Sequence, residues 1–194
     1  MAKHLRDDID KFYEYGIYVP TRTIYLGDTE DKSVDADMSA RAVKGLHMLD
    51  AISDSPITVI LNTEGGDVQH GLAIYDAIKS CRSKVTVVGT GCVWSMGAWI
   101  LQAGDHRVLT PNSTVMIHLG TDEIKGHTKD VVRWAEQGEK WNALMTAEFL
   151  ERIRQREPLF LAGKLRRMLE FDTILTAVEA VDLGLADAIQ EVPT

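Results

Sequence analysis

The stretch Val85-Thr86-Val87-Val88-Gly89-Thr90-Gly91-Cys92-Val93-Trp94-Ser95-Met96-Gly97-Ala98 carries the most information in this sequence. Val85–Val88 predicts a buried strand, and the apolar run that follows predicts a helix over Ser95–Ala103. Ser95 therefore lies at a turn between a strand and a helix. A serine in this place is most often an N-cap. The N–H of Met96, at the positive end of the helix dipole, can also face an oxyanion.

A second strand-to-helix turn lies upstream, at Asn62-Thr63-Glu64-Gly65-Gly66-Asp67. The nearly continuous apolar run Ile57–Leu61 predicts a strand covered on both faces, and Asp67–Cys81 predicts an amphipathic helix. A glycine pair after a strand is commonly only a turn. Its functional interpretation is a second oxyanion donor, the N–H of Gly66, with no side chain to block a substrate.

The rest of the chain continues this alternation of strands and helices. It predicts an α/β fold with a mainly parallel sheet and crossover helices. Glu179 lies three residues after Thr176, which is the spacing of a capping box at the start of a helix. The further predicted elements are the strand Thr23–Leu26, the helix Ser33–Ile52, two strands flanking Pro111-Asn112-Ser113 of which the second is Thr114–His118, and helices over Leu161–Leu169 and Ala177–Leu183.

The segment Gly126–Glu157 predicts one long helix, too long to lie against a single small sheet. A projecting helix with exposed apolar residues usually buries them against another chain, so the sequence predicts an oligomer. The apolar residues of this segment are Val131, Val132, Trp134, Trp141, Leu144, Met145, Phe149 and Ile153.

Composition limits the possible classes of protein. The chain has 194 residues, 45% of them hydrophobic, which suits one globular domain over residues 1–194. A net charge of −8 gives no electrostatic footprint for nucleic acid. The sequence shows no signal peptide and no run long enough to span a membrane. Cys81 and Cys92 fit free thiols in a reducing, cytoplasmic compartment.

His118 ends an apolar strand and is a candidate general base for Ser95. A core or strand-end histidine is the more common reason for such a residue. Neutral imidazole nevertheless accepts a serine proton near pH 7. The other histidines show no metal-ligand spacing, so the sequence predicts neither a metal site nor a cofactor.

Asp172 is a candidate for the acid that orients His118. Its functional role would be to fix the imidazole tautomer and to stabilise the imidazolium. Sequence spacing alone does not choose between Asp172 and three other acids, Asp122, Glu170 and Asp182. A simple capping role in a loop is the alternative for Asp172.

The whole pattern resembles the Clp protease proteolytic subunit, the ClpP family of self-compartmentalised serine peptidases. The resemblance covers roughly Thr23 to Glu191, and five blocks in the right order make it specific. The blocks are Thr23-Ile24-Tyr25-Leu26; Leu61–Val68 continuing into Gly71–Asp76; Ser95-Met96-Gly97-Ala98; Pro111–His118; and Asp172–Ala180 followed by Gly184-Leu185-Ala186-Asp187.

The resemblance implies a Ser95–His118–Asp172 triad, with Gly66 and Met96 forming the oxyanion hole. It implies a crotonase-like spiral of ββα units and two stacked seven-membered rings that enclose a chamber for peptides or unfolded proteins. The long helix over residues 126–157 would be the handle between the rings, and residues 1–20 the axial segment. The residues implied to bind substrate, chiefly through extended backbone, are Gly65, Asp67, Val68, Leu119 and Gly120.

The chain departs from the family at several positions. Leu119-Gly120-Thr121-Asp122 replaces the usual Gln-Pro and the glycine-rich stretch after the histidine. Glu64 replaces the usual proline beside the oxyanion turn, and Thr173 replaces the arginine after the aspartate. The surface that normally docks an AAA+ unfoldase also differs. These departures suggest a divergent, phage-type member that does not depend on a standard unfoldase partner.

Three alternative functions are compatible with the sequence. The first is a non-catalytic ring subunit that modulates an active paralogue. The second is a crotonase-type acyl-CoA enzyme, which uses backbone N–H groups for a thioester oxyanion and does not need the triad. The third is a protease of phage head maturation that cleaves a scaffold protein.

Overall fold

In the computed structural model of the protein, the residues described are 9–10, 12–27, 32–121 and 123–191. Asp122 and much of the predicted axial segment, residues 1–8 and 11, lie outside them. The strands are β1 (Ile17–Tyr18), β2 (Thr23–Leu26), β3 (Ser33–Val34), β4 (Ile57–Thr63), β5 (Gly65–Gly66), β6 (Val85–Trp94), β7 (His106–Leu109), β8 (Thr114–Ile117), β9 (Thr173–Thr176) and β10 (Ala188–Ile189). The α-helices are α1 (Ala36–Ile52), α2 (Val68–Ser80), α3 (Met96–Leu101), α4 (Thr128–Arg156), α5 (Ala162–Leu169) and α6 (Ala177–Leu183).

The main sheet is mostly parallel, as predicted. Its order is β1-β2-β4-β6-β7-β10, and β8 and β9 branch from β6. The pairs β2–β4, β4–β6, β6–β7, β6–β8 and β7–β10 are parallel, whereas β1–β2 and β8–β9 are antiparallel. A small parallel sheet joins β3 to β5. The predicted α/β architecture is confirmed: a mainly parallel sheet with connecting helices and one long helix, α4.

Strand β6 extends beyond the predicted strand, because it pairs with two different neighbours along its length. Thr86–Gly89 pairs with β7, and Cys92–Trp94 pairs with β8. Between these halves Gly91 has a φ of 57°, and the register with β4 shifts at the same level. Gly91 therefore forms a bend inside one continuous strand, which carries the chain on to Ser95.

Helix α1 begins later than predicted. The sequence predicts a helix from Ser33, but Ser33 and Val34 pair with Gly65 and Gly66 instead. Asp35 is the N-cap, and its carboxylate accepts the N–H of Met38 at 2.8 Å. Pairing with the distant strand β5 therefore places Ser33 and Val34 in a strand, although the local pattern assigns them to the helix.

The other helices match their predicted positions closely. Asp67 caps α2, and the predicted capping box at Thr176 is present at the start of α6. Helix α4, Thr128–Arg156, is slightly shorter than the predicted span of residues 126–157. Its residues Met145, Phe149 and Ile153 are buried against the body, whereas Val132 and Leu144 are exposed. None of the helices in the described part of the chain has the length and apolar composition of a membrane span.

Candidate active site

The end of β6 places Ser95 in an unusual backbone conformation. Its φ is 52° and its ψ is −118°, in a region that non-glycine residues rarely adopt. The strand ladder holds this turn, since the N–H of Ser95 donates to the carbonyl of Met116 at 2.8 Å. Ser95 does not cap helix α3 through its side chain. The hydroxyl is therefore free for another partner, which excludes side-chain capping as the explanation for this serine.

That partner is His118, at the end of the neighbouring strand β8. His118 Nε2 lies 2.7 Å from Ser95 Oγ. On the other side of the ring, Nδ1 lies 3.2 Å from Asp172 Oδ1, just before β9. The antiparallel pairing of β8 with β9 brings these two distant parts of the chain together. With the Nδ1 proton directed at Asp172, Nε2 carries the lone pair that accepts the hydroxyl proton of Ser95.

The structure distinguishes among the candidate acids. Asp172 faces the His118 ring, although its side chain remains 69% exposed. Asp182 instead lies 3.7 Å from Arg156. Asp122 is outside the described residues, and no contact joins Glu170 to the His118 ring. Of the described candidates, the acid in contact with His118 is Asp172.

The glycine turn lies directly against Ser95. A Cβ on Gly65 would come 2.6 Å from the Cβ of Ser95 and 3.0 Å from the carbonyl oxygen of Trp94. Gly65 also has a φ of +101°, which disfavours any side chain. This close approach places the Gly65-Gly66 backbone beside the serine. Met96 is the first residue of α3, so its N–H has no acceptor within its own helix, and Met96 lines the same cavity as Ser95.

The structure gives a further reason why position 66 is a glycine. The expectation is that a side chain there would block substrate. In the structure, a Cβ on Gly66 would come 2.6 Å from the carbonyl oxygen of Val34 and 2.9 Å from the hydroxyl of Ser33. The glycine is required by strand β3 behind the turn. Gly66 nevertheless borders the cavity that contains Ser95.

The predicted substrate-binding residues after His118 already use their N–H groups. Leu119 donates to the carbonyl of Leu169 at 2.8 Å, and Gly120 donates to the side-chain oxygen of Asn142 at 2.8 Å. Neither N–H is left to pair with a substrate strand. Gly120 does line the cavity, and Asn142 fixes it to helix α4. Asp67 and Val68 line the cavity as well.

Ser95 and His118 open into a cavity of about 660 Å³. Sequence reasoning assigns the tryptophans of α4 only to oligomer contacts and does not assign Gly138 or Asn142 to the site. The periodic spacing of Trp134, Gly138 and Trp141 on one helix face is the signal that could have found them. The remaining lining residues that were not predicted for the site are Gln69, Trp99, Thr121 and Met145.

Cys92 lies close to this site but is a poor competitor for Ser95. Burial raises the pKa of its thiol above the ordinary value, so the reactive thiolate is scarce at neutral pH. Its sulfur lies 3.4 Å from the side-chain oxygen of Asn62. In the described ranges, no group of three or more His, Cys, Asp or Glu side chains is arranged to hold a metal ion.

The arrangement has the parts that acyl transfer needs. A hydroxyl contacts an imidazole, a carboxylate contacts the far side of that imidazole, and the backbone of Gly65 approaches the serine closely. Comparable groups occur on several unrelated folds, so the chemistry is recognised by geometry and not by chain order.

Comparison with known proteins agrees with this arrangement. Residues 10–193 match the family described as Clp protease. The chain is 32% identical over 181 residues to the ATP-dependent Clp protease proteolytic subunit of Deinococcus radiodurans, covering 90% of this chain and 84% of that protein. It is 33% identical over 188 residues to the ATP-dependent Clp protease proteolytic subunit 2 of Pseudomonas aeruginosa, covering 92% and 85%. The chain belongs to the Clp protease family.

Proposed function

We propose that this protein is a serine peptidase that cleaves peptide bonds with Ser95 as its nucleophile. The observation that carries the proposal is the 2.7 Å contact between Ser95 Oγ and His118 Nε2, two residues that line the cavity. The strained backbone of Ser95 supports it, because strain of this kind persists where the surrounding structure enforces it and is common at active sites.

The first half of the reaction forms an acyl-enzyme. Ser95 Oγ attacks the peptide carbonyl carbon while its proton passes to His118 Nε2. The carbonyl oxygen becomes an oxyanion, which the N–H groups of Gly66 and Met96 stabilise. The C–N bond then breaks, and His118 returns the proton to the leaving amine. Asp172 keeps the His118 ring oriented and balances its positive charge.

The second half releases the product and restores the enzyme. Water attacks the acyl carbon, and its proton passes to His118 Nε2. The second oxyanion forms in the same place, and the bond to Ser95 Oγ breaks as His118 returns the proton to it. The exposed Asp172 carboxylate is screened by water, so it contributes less than a buried acid does.

Labelling with a fluorophosphonate probe tests the proposal directly. Intact mass of the full-length wild type should show one adduct, and Ser95→Ala should show none. Hydrolysis of a fluorogenic peptide should disappear in the same variant. An unlabelled wild type that is fully assembled would contradict the proposal and favour a non-catalytic ring subunit.

We also propose that the active form is a ring-shaped oligomer enclosing the cleavage sites. The support is the set of exposed large apolar residues on and near helix α4, since such side chains are usually covered in an assembly. Native mass spectrometry should find a multiple of seven subunits; a monomer at micromolar concentration would exclude the chamber. The exposed residues in question include Val132, Leu144, Leu159, Phe171 and Ile174.

The relatives from Deinococcus and Pseudomonas carry "ATP-dependent" in their names. By that likeness an ATP-driven unfoldase is the candidate partner for degradation of folded proteins. Adding a purified unfoldase and ATP to the wild type tests this. Faster degradation of a folded substrate supports the partnership, whereas unchanged degradation supports an unfoldase-independent peptidase, as the altered partner-facing residues predict.

A further inference from the structure

Thr63 is a polar residue that the fold buries completely. It is 0% exposed and ends strand β4, two residues before the glycine turn begins at Gly65. A buried hydroxyl needs hydrogen-bond partners, because burial without them costs free energy. The partners of this hydroxyl therefore show what a polar side chain does at this point of the chain.

The Thr63 hydroxyl joins two segments of main chain. It donates to the carbonyl of Lys32, the residue before β3, and it accepts the N–H of Gly65 at 3.1 Å. A threonine hydroxyl that bonds to the N–H two residues later stabilises a turn through its side chain. This one hydroxyl therefore closes the glycine turn and ties it to the segment that leads into β3.

The methyl group of the same side chain packs against the helix that follows Ser95. A Cβ on Gly97 would come 2.5 Å from the Cγ2 atom of Thr63, so no side chain fits between them. Gly97 is the second residue of α3, two residues after Ser95. Thr63 thus contacts the glycine turn through its hydroxyl and the helix of the serine through its methyl group.

The N–H groups on either side of Gly66 are bonded within the protein. That of Gly65 donates to Thr63, and that of Asp67 donates to the carbonyl of Val34 in β3 at 2.8 Å. Gly65 is buried, whereas Gly66 is exposed and borders the active-site cavity. Two N–H groups that the fold holds therefore flank the one proposed above as an oxyanion donor.

Two adjacent glycines give this turn conformational freedom. Gly65 has a φ of +101° and Gly66 a φ of +147°, and glycine reaches such values without a steric cost. The peptide group between them can therefore rotate unless the groups on either side are held. An oxyanion donor has to point at its target before the charge develops, because its effect depends on preorganisation.

We propose that Thr63 is a positioning residue for the oxyanion hole: its hydroxyl holds the N–H of Gly65 and thereby fixes the direction of the N–H of Gly66. This inference rests on the proposed peptidase function and names a residue that supports it. The hydroxyl restrains the turn before the peptide group of Gly66, and the bond from Asp67 to β3 restrains it afterwards. Loss of the hydroxyl affects the chemical step more than substrate binding, because the oxyanion forms only during the reaction.

The wild type alone gives the first test, which does not require catalysis. Hydrogen–deuterium exchange of the full-length protein, resolved to single amides by electron-transfer fragmentation, compares the three N–H groups of the turn. After correction for intrinsic rates, we expect those of Gly65 and Asp67 to exchange at least about tenfold more slowly than that of Gly66. A Gly65 amide that exchanges as fast as that of Gly66 would overturn the proposal.

The second test removes the hydroxyl and keeps the shape of the side chain. Thr63→Val should lower kcat for a fluorogenic peptide at least about tenfold and change KM less than about threefold, since a misplaced oxyanion donor acts on the transition state. Thr63→Ser keeps the hydroxyl and should recover most of the lost kcat. An unchanged kcat in Thr63→Val, or an equal loss in Thr63→Ser, would contradict the role of the hydroxyl.

Ser83→Ala is the matched control for the loss of a buried hydroxyl. Ser83 is 1% exposed, and its hydroxyl donates to the carbonyl of Ser53 at 3.2 Å and accepts from Arg22 at 3.2 Å. It lies just before β6, whereas Ser95 follows the other end of that strand. Because the two sites are distant, kcat of Ser83→Ala should stay within about twofold of wild type. A loss equal to that of Thr63→Val would show a general effect of destabilisation and refute the specific role.

The positioning proposal and the peptidase proposal fail separately. A wild type that neither hydrolyses peptides nor reacts with a fluorophosphonate would refute the peptidase proposal, and amide exchange would still decide whether Thr63 holds the turn. In that comparison the Gly65 amide should exchange faster in Thr63→Val than in wild type, and equal exchange would refute the proposal. If Thr63→Val does not fold, Thr63→Ala replaces it with the same expected results, because alanine also lacks the hydroxyl and adds no atom.

Discussion

Arg152 on helix α4 donates a hydrogen bond of 2.6 Å to the main-chain carbonyl of Gln102, directly after the helix that begins beside Ser95. The long helix is thereby tied to the short helix of the active site. The arginine is itself held by Glu148, one turn earlier, at 3.3 Å. Gln102 is fully buried, and its side chain bonds to the carbonyls of Ala98 and Leu185.

Removing this tie should destabilise the protein. Arg152 is only 18% exposed, and its loss leaves the carbonyl of Gln102 without this donor. Hydrogen bonds from charged groups contribute about 1.5–3 kcal/mol, so Arg152→Met should lower the free energy of unfolding by about that amount. Urea denaturation at a fixed protomer concentration measures it. Arg133→Met, an exposed change on the same helix, is the control, and an equal effect in both variants would contradict the argument.

Asp172→Asn should lower kcat for peptide hydrolysis by about 10²–10⁴-fold, because the amide no longer balances the imidazolium and permits the wrong tautomer. The partial exposure of Asp172 favours the lower end of that range. Initial rates at saturating substrate give the comparison. Asp182→Asn and Glu170→Gln are the matched controls, and a larger loss in either of them would move the orienting role away from Asp172.

Gly65→Ala should abolish labelling of Ser95 by the fluorophosphonate probe. The new Cβ would lie 2.6 Å from the Cβ of Ser95, so either the serine or the glycine turn has to move. The positive φ of Gly65 adds strain. Gly126→Ala is the control, because a Cβ at Gly126 meets nothing within 4 Å. Full labelling of a folded Gly65→Ala protein would show that the turn has more freedom than the structure indicates.

Asp50 should make stability depend on pH in the acid range. The N–H of Ser83 donates to its carboxylate at 2.8 Å and lowers the pKa from 3.8 to about 2. A lowered pKa means that the carboxylate stabilises the fold above pH 3.8 and loses this effect as the pH falls towards 2. The midpoint of thermal unfolding should therefore be higher in wild type than in Asp50→Asn at pH 5, and the two should converge near pH 2.

Asp54→Asn serves as the control for this titration, since Asp54 lies in an exposed part of the same region. Its unfolding midpoint should follow that of wild type at every pH. A difference between wild type and Asp50→Asn that stays constant from pH 5 to about pH 2 would contradict the assignment, because it would not follow the titration of a carboxylate.

The sequence predicts those parts of the fold that depend on local pattern. The apolar run at β4 and the helical spacing in α2 and α4 give elements close to the observed ones. The capping pair Thr176 and Glu179 marks the start of α6 correctly. In these segments the local preference and the tertiary environment agree.

Elements formed by pairing with distant strands are harder to predict. Thr173–Thr176 forms β9 only because β8 lies beside it, and Ser33–Val34 leaves the helix because the glycine turn pairs with it. The extension of β6 beyond Val88 likewise needs β8 as a neighbour. Strand preference depends strongly on such context, so single-sequence patterns miss these segments.

The candidate site likewise combines residues that the local sequence indicates with residues that only tertiary packing brings to the site. Ser95, His118 and Asp172 stand out as chemical types at strand ends, and the structure brings their side chains into contact. The pocket wall depends on which face of α4 points inward, and that is fixed by the packing of Phe149 and Ile153 further along the helix. The reason for Gly66 was also hidden, since it lies in its contact with Val34.

The N–H groups of Leu119 and Gly120 both donate to acceptors within the protein. A peptide in the cavity would find no free main-chain N–H donor at these two residues, so its backbone would have to pair elsewhere. Both donors instead join the segment after His118 to helices, to α5 through Leu169 and to α4 through Asn142, so this segment holds the histidine strand against the helical layer.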